Sequence, residues 1–147
     1  MSTTVPQFET FRGVVLPSMC DHFGHMNVRW YAWHFDDASF HLWTLAGLSH
    51  REMLQRGMHV VAAQTTNRFV REMKAGGLFV VRAAFTKIGT KSVTHLARMF
   101  DADTLELTAS QETVEVFFDP RSRSSTAIPD DYRLRLREKV ADPAALA

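Results

Sequence analysis

The chain has 147 residues, with 17 Lys and Arg against 16 Asp and Glu for a formal net charge of +1, and 46% of it is hydrophobic. That length fits a single domain over residues 1–147, and the composition excludes disordered, collagen-like and coiled-coil chains. Balanced charge leaves no electrostatic footprint for a nucleic-acid partner. The one cysteine, Cys20, excludes an intrachain disulfide. With no basic leader and no apolar run near the length of a membrane span, the chain reads as a cytoplasmic protein with no membrane partner.

In chain order, residues 1–7 read as a flexible start and residues 8–16, F-E-T-F-R-G-V-V-L, as a strand stopped by Pro17. A loop follows, punctuated by Gly24, with Asn27 as an N-cap. Residues 29–46 form the clearest helix. Tyr31, Phe35, Ala38, Leu42 and Leu45 make one apolar stripe, and Trp30, Trp33, Phe40 and Trp43 make a second. A helix apolar on most sides is expected to be wrapped by other structure. A short helix over 49–55 precedes Gly57.

The rest is β-rich. Residues 58–73 form a long extended run, ended by the Lys74-Ala-Gly-Gly turn. Residues 78–88 alternate, with Phe79, Val81, Ala83 and Phe85 on one face. Residues 92–101 and 107–118 follow, separated by turn signals at Gly89-Thr90 and Asp101–Thr104. In the last strand Val114, Val116 and Phe118 alternate against Thr113 and Glu115. A Ser/Arg loop and a helix over 130–140 close the chain. This order predicts an α+β fold, one antiparallel sheet curled around one helix.

Chemistry concentrates in Asp21-His22-Phe23-Gly24-His25-Met26-Asn27, a carboxylate, two imidazoles and an amide in a loop that enters a helix N-terminus. Unpaired N–H groups there suit a developing oxyanion, and a nearby carboxylate can attack a carbonyl or activate water. Equally, Asp21 and Asn27 can serve only as caps of the turn and the helix. No metal is expected: only His22 and His25 are close in sequence, and neither H-E-x-x-H nor a cysteine pair is present. Cys20 lacks a cysteine-protease signature, and G-x-S-x-G and phosphate-binding glycine loops are absent. Six Lys or Arg between Arg121 and Lys139 read as a solvated helix, or as a grip on a phosphorylated ligand, for which Arg121 and Arg123 stand best.

Asp21-x-x-Gly24-His25-x-Asn27-x-x-x-Tyr31 resembles the D-x-x-G-H-V-N-N-x-x-Y signature of the hotdog-fold acyl-CoA thioesterases of the 4-hydroxybenzoyl-CoA type. Later landmarks agree: Val60–Val70, Lys74–Leu78, Ile88–Ser92, Asp101–Leu107 and Arg123–Pro129. The resemblance implies a five-stranded antiparallel sheet wrapped around one long central helix. It implies an acyl-CoA thioesterase acting on a small or medium acyl chain without a cofactor. Asp21 would be nucleophile or general base, the backbone at Val28 would supply the oxyanion hole, and His25 and Asn27 would orient the reacting groups. Gly24, Tyr31, Asn67, Arg68, Ser92, Arg121 and Arg123 become candidates for substrate contact. Homodimers or homotetramers are implied, with long strands paired across subunits and active sites at that interface. Two departures stand out, Val28 at the second Asn and Met19 where an acid often precedes the Asp. A non-catalytic acyl-thioester binder and a thioesterase acting on acyl-carrier protein are the alternatives.

Overall fold

A computed structural model describes residues 5–146. Part of the start expected to be flexible, residues 1–4, lies outside the described residues. Val5 packs against the sheet instead of trailing free. Strand β1 (Phe8–Val14) leads through a 3-10 turn at Pro17–Met19 to the Asp21 loop and the long helix α1 (Val28–Leu45). Helix α2 (His50–Gln55) precedes strands β2 (His59–Phe69), β3 (Leu78–Ile88), β4 (Ser92–Asp101) and β5 (Leu107–Asp119). A two-residue strand β6 (Ser124–Ser125) and helix α3 (Asp130–Arg137) complete the chain. The antiparallel sheet runs β1-β3-β4-β5-β2, with β6 added on β5 as a sixth strand beyond the five expected. Among the described residues no helix is long and apolar enough to cross a membrane.

Asn27 caps α1: its side-chain oxygen accepts from the Arg29 N–H. Ser49 caps α2 in the same way through Glu52 N–H. The first stripe packs as expected at Tyr31, Phe35, Ala38 and Leu42, which meet Phe79, Val81, Ala83 and Phe85 in one core. Burying each of the larger side chains contributes roughly 1.5–3 kcal/mol.

The second stripe departs from expectation. Only Trp43 is buried; Trp30 is half-buried, Trp33 is 61% exposed, and Phe40 is about half exposed, as is Leu45 at the end of the first stripe. The sheet curls around α1 as expected and leaves open the side that carries Trp33 and Phe40. The helix packs chiefly on β1 and β3, while β2 at the far edge is exposed from Val61 to Phe69.

Strand β5 also inverts the expected pattern. Gln111, Thr113, Glu115 and Phe117 face the helix and are buried, while Val114, Val116 and Phe118 point to the other face, half-buried. A buried carboxylate is tolerated only when it is partnered. Glu115 accepts a hydrogen bond from the Trp43 indole and lies 3.4 Å from His95 Nε2. Thr113 donates to Gln111, and Gln111 donates to Asn67 on β2 at 2.8 Å.

Candidate active site

The loop from Cys20 to Asn27 is folded tightly on itself. Cys20 and Met26 form an isolated antiparallel bridge. Asp21 N–H donates to the His25 carbonyl, and Gly24 N–H donates to the Asp21 carbonyl at 2.9 Å. Gly24 sits at φ +80°, left-handed backbone that favours glycine. Met26 N–H donates to Met73 and Asn27 N–H to Met19, which ties the loop to the turn after β2 and to the 3-10 turn.

Within this frame the Asp21 carboxylate is held by both oxygens. Oδ1 accepts from the Phe23 N–H at 3.0 Å, and Oδ2 accepts from the Asn27 amide at 2.9 Å. The Asn27 amide, then the Phe23 backbone, hold the carboxyl below the usual aspartate range, because both bonds favour the ionised form. Asn27 therefore does two jobs: its oxygen caps α1 while its nitrogen fixes Asp21. The Val28 N–H, first of the helix, has no protein acceptor among the described residues, as expected of an uncapped helix donor.

A cavity of about 740 Å³ opens beside this loop. Asp21, His25, Val28 and Tyr31 line it, joined by Phe69, Arg71 and Glu72 from the end of β2. Asp101, Glu106 and Thr108 close it from the β4–β5 turn. Tyr31 and Phe69 meet edge to face, ring centroids 5.3 Å apart, and burial raises the Tyr31 hydroxyl above its ordinary range. His25 Nε2 stands 3.7 Å from a Glu72 oxygen, and Arg71 pairs with Glu106 at 3.3 Å. Among the described residues no group of three His, Cys, Asp or Glu side chains could hold a metal ion.

The loop residues Asp21, His25, Asn27 and Val28 thus gather as their spacing suggested, with Gly24 shaping the turn and Tyr31 in the wall. Asn67 lies two residues from Phe69 on β2, bonded to Gln111. Arg68 pairs in register with Ser110 and is exposed. Ser92, Arg121 and Arg123 are elsewhere in this chain. Ser92 starts β4 opposite Val116, and both arginines follow the far end of β5. Phe69, Glu72, Asp101 and Glu106 were missed, because strand ends meet the loop only through sheet register. The Asp101–Thr104 turn signal was the single hint of them.

The chain belongs to the Thioesterase-like superfamily, whose family model matches residues 15–136, and that membership places it among thioester hydrolases with the hotdog fold. Its fold is similar to that of a Staphylococcus aureus protein solved in complex with CoA, at a TM-score of 0.81 and 18% identity, covering 93% of this chain and 87% of that one. It is similar to the 1,4-dihydroxy-2-naphthoyl-CoA thioesterase of Synechocystis, at 0.76 and 14%, covering 88% and 96%. A DHNA-CoA thioesterase of Staphylococcus aureus gives 0.78 and 13%, covering 87% of each chain. No curated protein sequence matches the chain.

Proposed function

We propose that the chain hydrolyses acyl-CoA thioesters to a free acid and CoA, with Asp21 as the reacting carboxylate. The observation that carries this reading is the clamped Asp21: an ionised carboxylate, fixed by Asn27 and Phe23, on the rim of the cavity that Val28, first residue of α1, also lines. A thioester carbonyl seated there would have its carbon facing Asp21 and its oxygen facing the helix N-terminus. As the carbon is attacked, negative charge moves to the oxygen and the Val28 N–H stabilises it, an interaction that typically supplies about 3 kcal/mol. Collapse expels the CoA thiolate, which takes up a proton. We assign Asp21 to direct attack on the carbonyl carbon, with water then hydrolysing the acyl-aspartyl anhydride.

Tyr31 and Phe69 form the apolar wall for the acyl group, and His25 stands across from Glu72 to orient the reacting group. The CoA complex of the S. aureus relative supports a CoA substrate here. The unpaired outer edge of β2 supports assembly through that strand.

The test is CoA release from a panel of acyl-CoA thioesters, followed by mass spectrometry. Asp21→Asn should lower turnover by a factor of about a hundred to ten thousand with unchanged circular dichroism. Equal, background-level release from wild type and variant sinks the reading. Rapid quenching should show an acyl adduct on the peptide that carries Asp21; its absence during rapid turnover would reassign Asp21 as a base acting on water.

A further inference from the structure

The cavity that holds Asp21 is acidic well beyond what attack on a thioester needs. Asp21, Glu72, Asp101 and Glu106 line it, four carboxylates against the single guanidinium of Arg71. That guanidinium is already paired with Glu106 at 3.3 Å. Asp101 Oδ1 accepts from the Asp103 and Thr104 N–H groups at 2.8 and 3.1 Å, and its Oδ2 has no partner among the described residues. The Glu72 carboxylate is 71% exposed and meets only His25 Nε2, at 3.7 Å. Like charges gathered round one cavity repel an anionic guest and attract a cationic one.

The rings beside these carboxylates select the kind of cation. Tyr31 and Phe69 share a wall, packed edge to face, and Phe69 keeps half of its surface open. Phe23, 73% exposed, lines the same cavity. Aromatic faces hold an alkylammonium group, whose charge is spread over apolar carbon, better than they hold a small hydrated ion. The acids do not converge on an inorganic ion either: among the described residues no three of them could hold a metal. A plain hydrocarbon chain seated here would desolvate carboxylates and give them no partner. A chain ending in its own carboxylate would face four charges of its own sign. The pantetheine arm of CoA is neutral, so close to Asp21 the part of the substrate able to carry positive charge is the acyl group.

We propose that the acyl group is cationic, a short chain ending in a quaternary or protonated amine, seated against Tyr31 and Phe69 with Glu72 and Asp101 as its counter-charges while its thioester carbon faces Asp21. This assignment names a substrate class for the thioesterase reading above and rests on it. The bond broken is the same, and the free acid leaves as a zwitterion.

The experiment uses matched pairs of CoA thioesters in which a trimethylammonio head is replaced by its neutral isostere, a tert-butyl group. One, two or three methylenes separate the head from the carbonyl, and each enzymatic rate is referred to the spontaneous hydrolysis of the same ester. In at least one pair the wild-type chain should favour the cationic member by about tenfold or more in kcat/KM, chiefly through KM. Glu72→Gln combined with Asp101→Asn should bring that ratio toward one, and Glu72→Lys should carry it below one. A wild-type protein that turns over the neutral member as well or better in every pair overturns the cationic assignment and leaves the thioesterase reading standing. A preference unchanged in all the variants also overturns it, because the counter-charges would then lie elsewhere. Wild-type protein inactive on these esters and on straight-chain and aryl acyl-CoA alike overturns both.

Discussion

Asn27 joins two tasks that sequence patterns treat separately: its amide oxygen caps the helix and its amide nitrogen fixes the carboxylate. Removing it should therefore act on Asp21 through protonation. Because the Asn27 bond is the largest cause of the lowered Asp21 pKa, Asn27→Ala should move the acidic limb of kcat/KM upward, toward the ordinary aspartate value. Activity that survives mild acid in the wild type should then be lost sooner, while the difference from wild type narrows toward neutral pH, where Asp21 is ionised in both; a pH–rate profile measures it. Glu115 is the opposite kind of carboxylate, buried and linked to Trp43 and His95. Glu115→Ala leaves the indole N–H and the imidazole facing an apolar void, and urea denaturation should show a loss of about 3 kcal/mol. Glu115→Gln keeps an acceptor and should cost less.

Among the elements, β1 shows how tightly the core is closed. A Cβ on Gly13 would lie 2.5 Å from the ring of Phe79, which is buried between Phe11 and His34 and has nowhere to move. Gly13→Ala should therefore destabilise by about 1–3 kcal/mol in thermal or urea unfolding. Helices α2 and α3 are joined by charge: Arg56 forks onto Asp131 at 2.7 and 3.0 Å, and Arg135 bridges Asp131 and Glu52. Arg56 depresses the Asp131 pKa below the ordinary carboxylate range. A depressed carboxylate stabilises the fold at every pH above its unfolded pKa, and the contribution fades as pH falls through the folded one. Asp131→Asn should therefore lower the melting temperature equally at pH 7 and pH 5, with the difference shrinking only in stronger acid. Element boundaries were largely legible, since caps, turns and the alternation at Phe79 to Phe85 are local signals. The inner face of β5 was not legible, because a strand with valines on one side and Thr113 and Glu115 on the other gives no sign that Trp43 and His95 wait for the polar side. The exposed stripe of α1 was misread for a related reason: periodicity reveals apolar faces, not which of them a sheet reaches.

For the molecule as a whole, legibility fell with distance along the sheet. The Asp21 loop could be read because its members are neighbours in sequence, whereas Arg121 and Arg123 were grouped with it by chemistry although the sheet holds them at its opposite end. Only strand direction and register separate the two, and neither is written in local spacing. Assembly through β2 is checked at this scale by Thr65→Glu, which sets like charges against each other near the centre of the paired edges. Sedimentation velocity should shift from dimer toward monomer, and acyl-CoA turnover should fall in parallel. The three tryptophans offer a way to watch these events separately. Trp43 is fully buried with its indole bonded to Glu115, Trp30 is half-buried, and Trp33 lies largely in solvent. The molecule thus carries its own optical labels: quenchers added to the buffer should darken Trp33 first, while a red shift of the protected Trp43 emission marks the opening of the core itself.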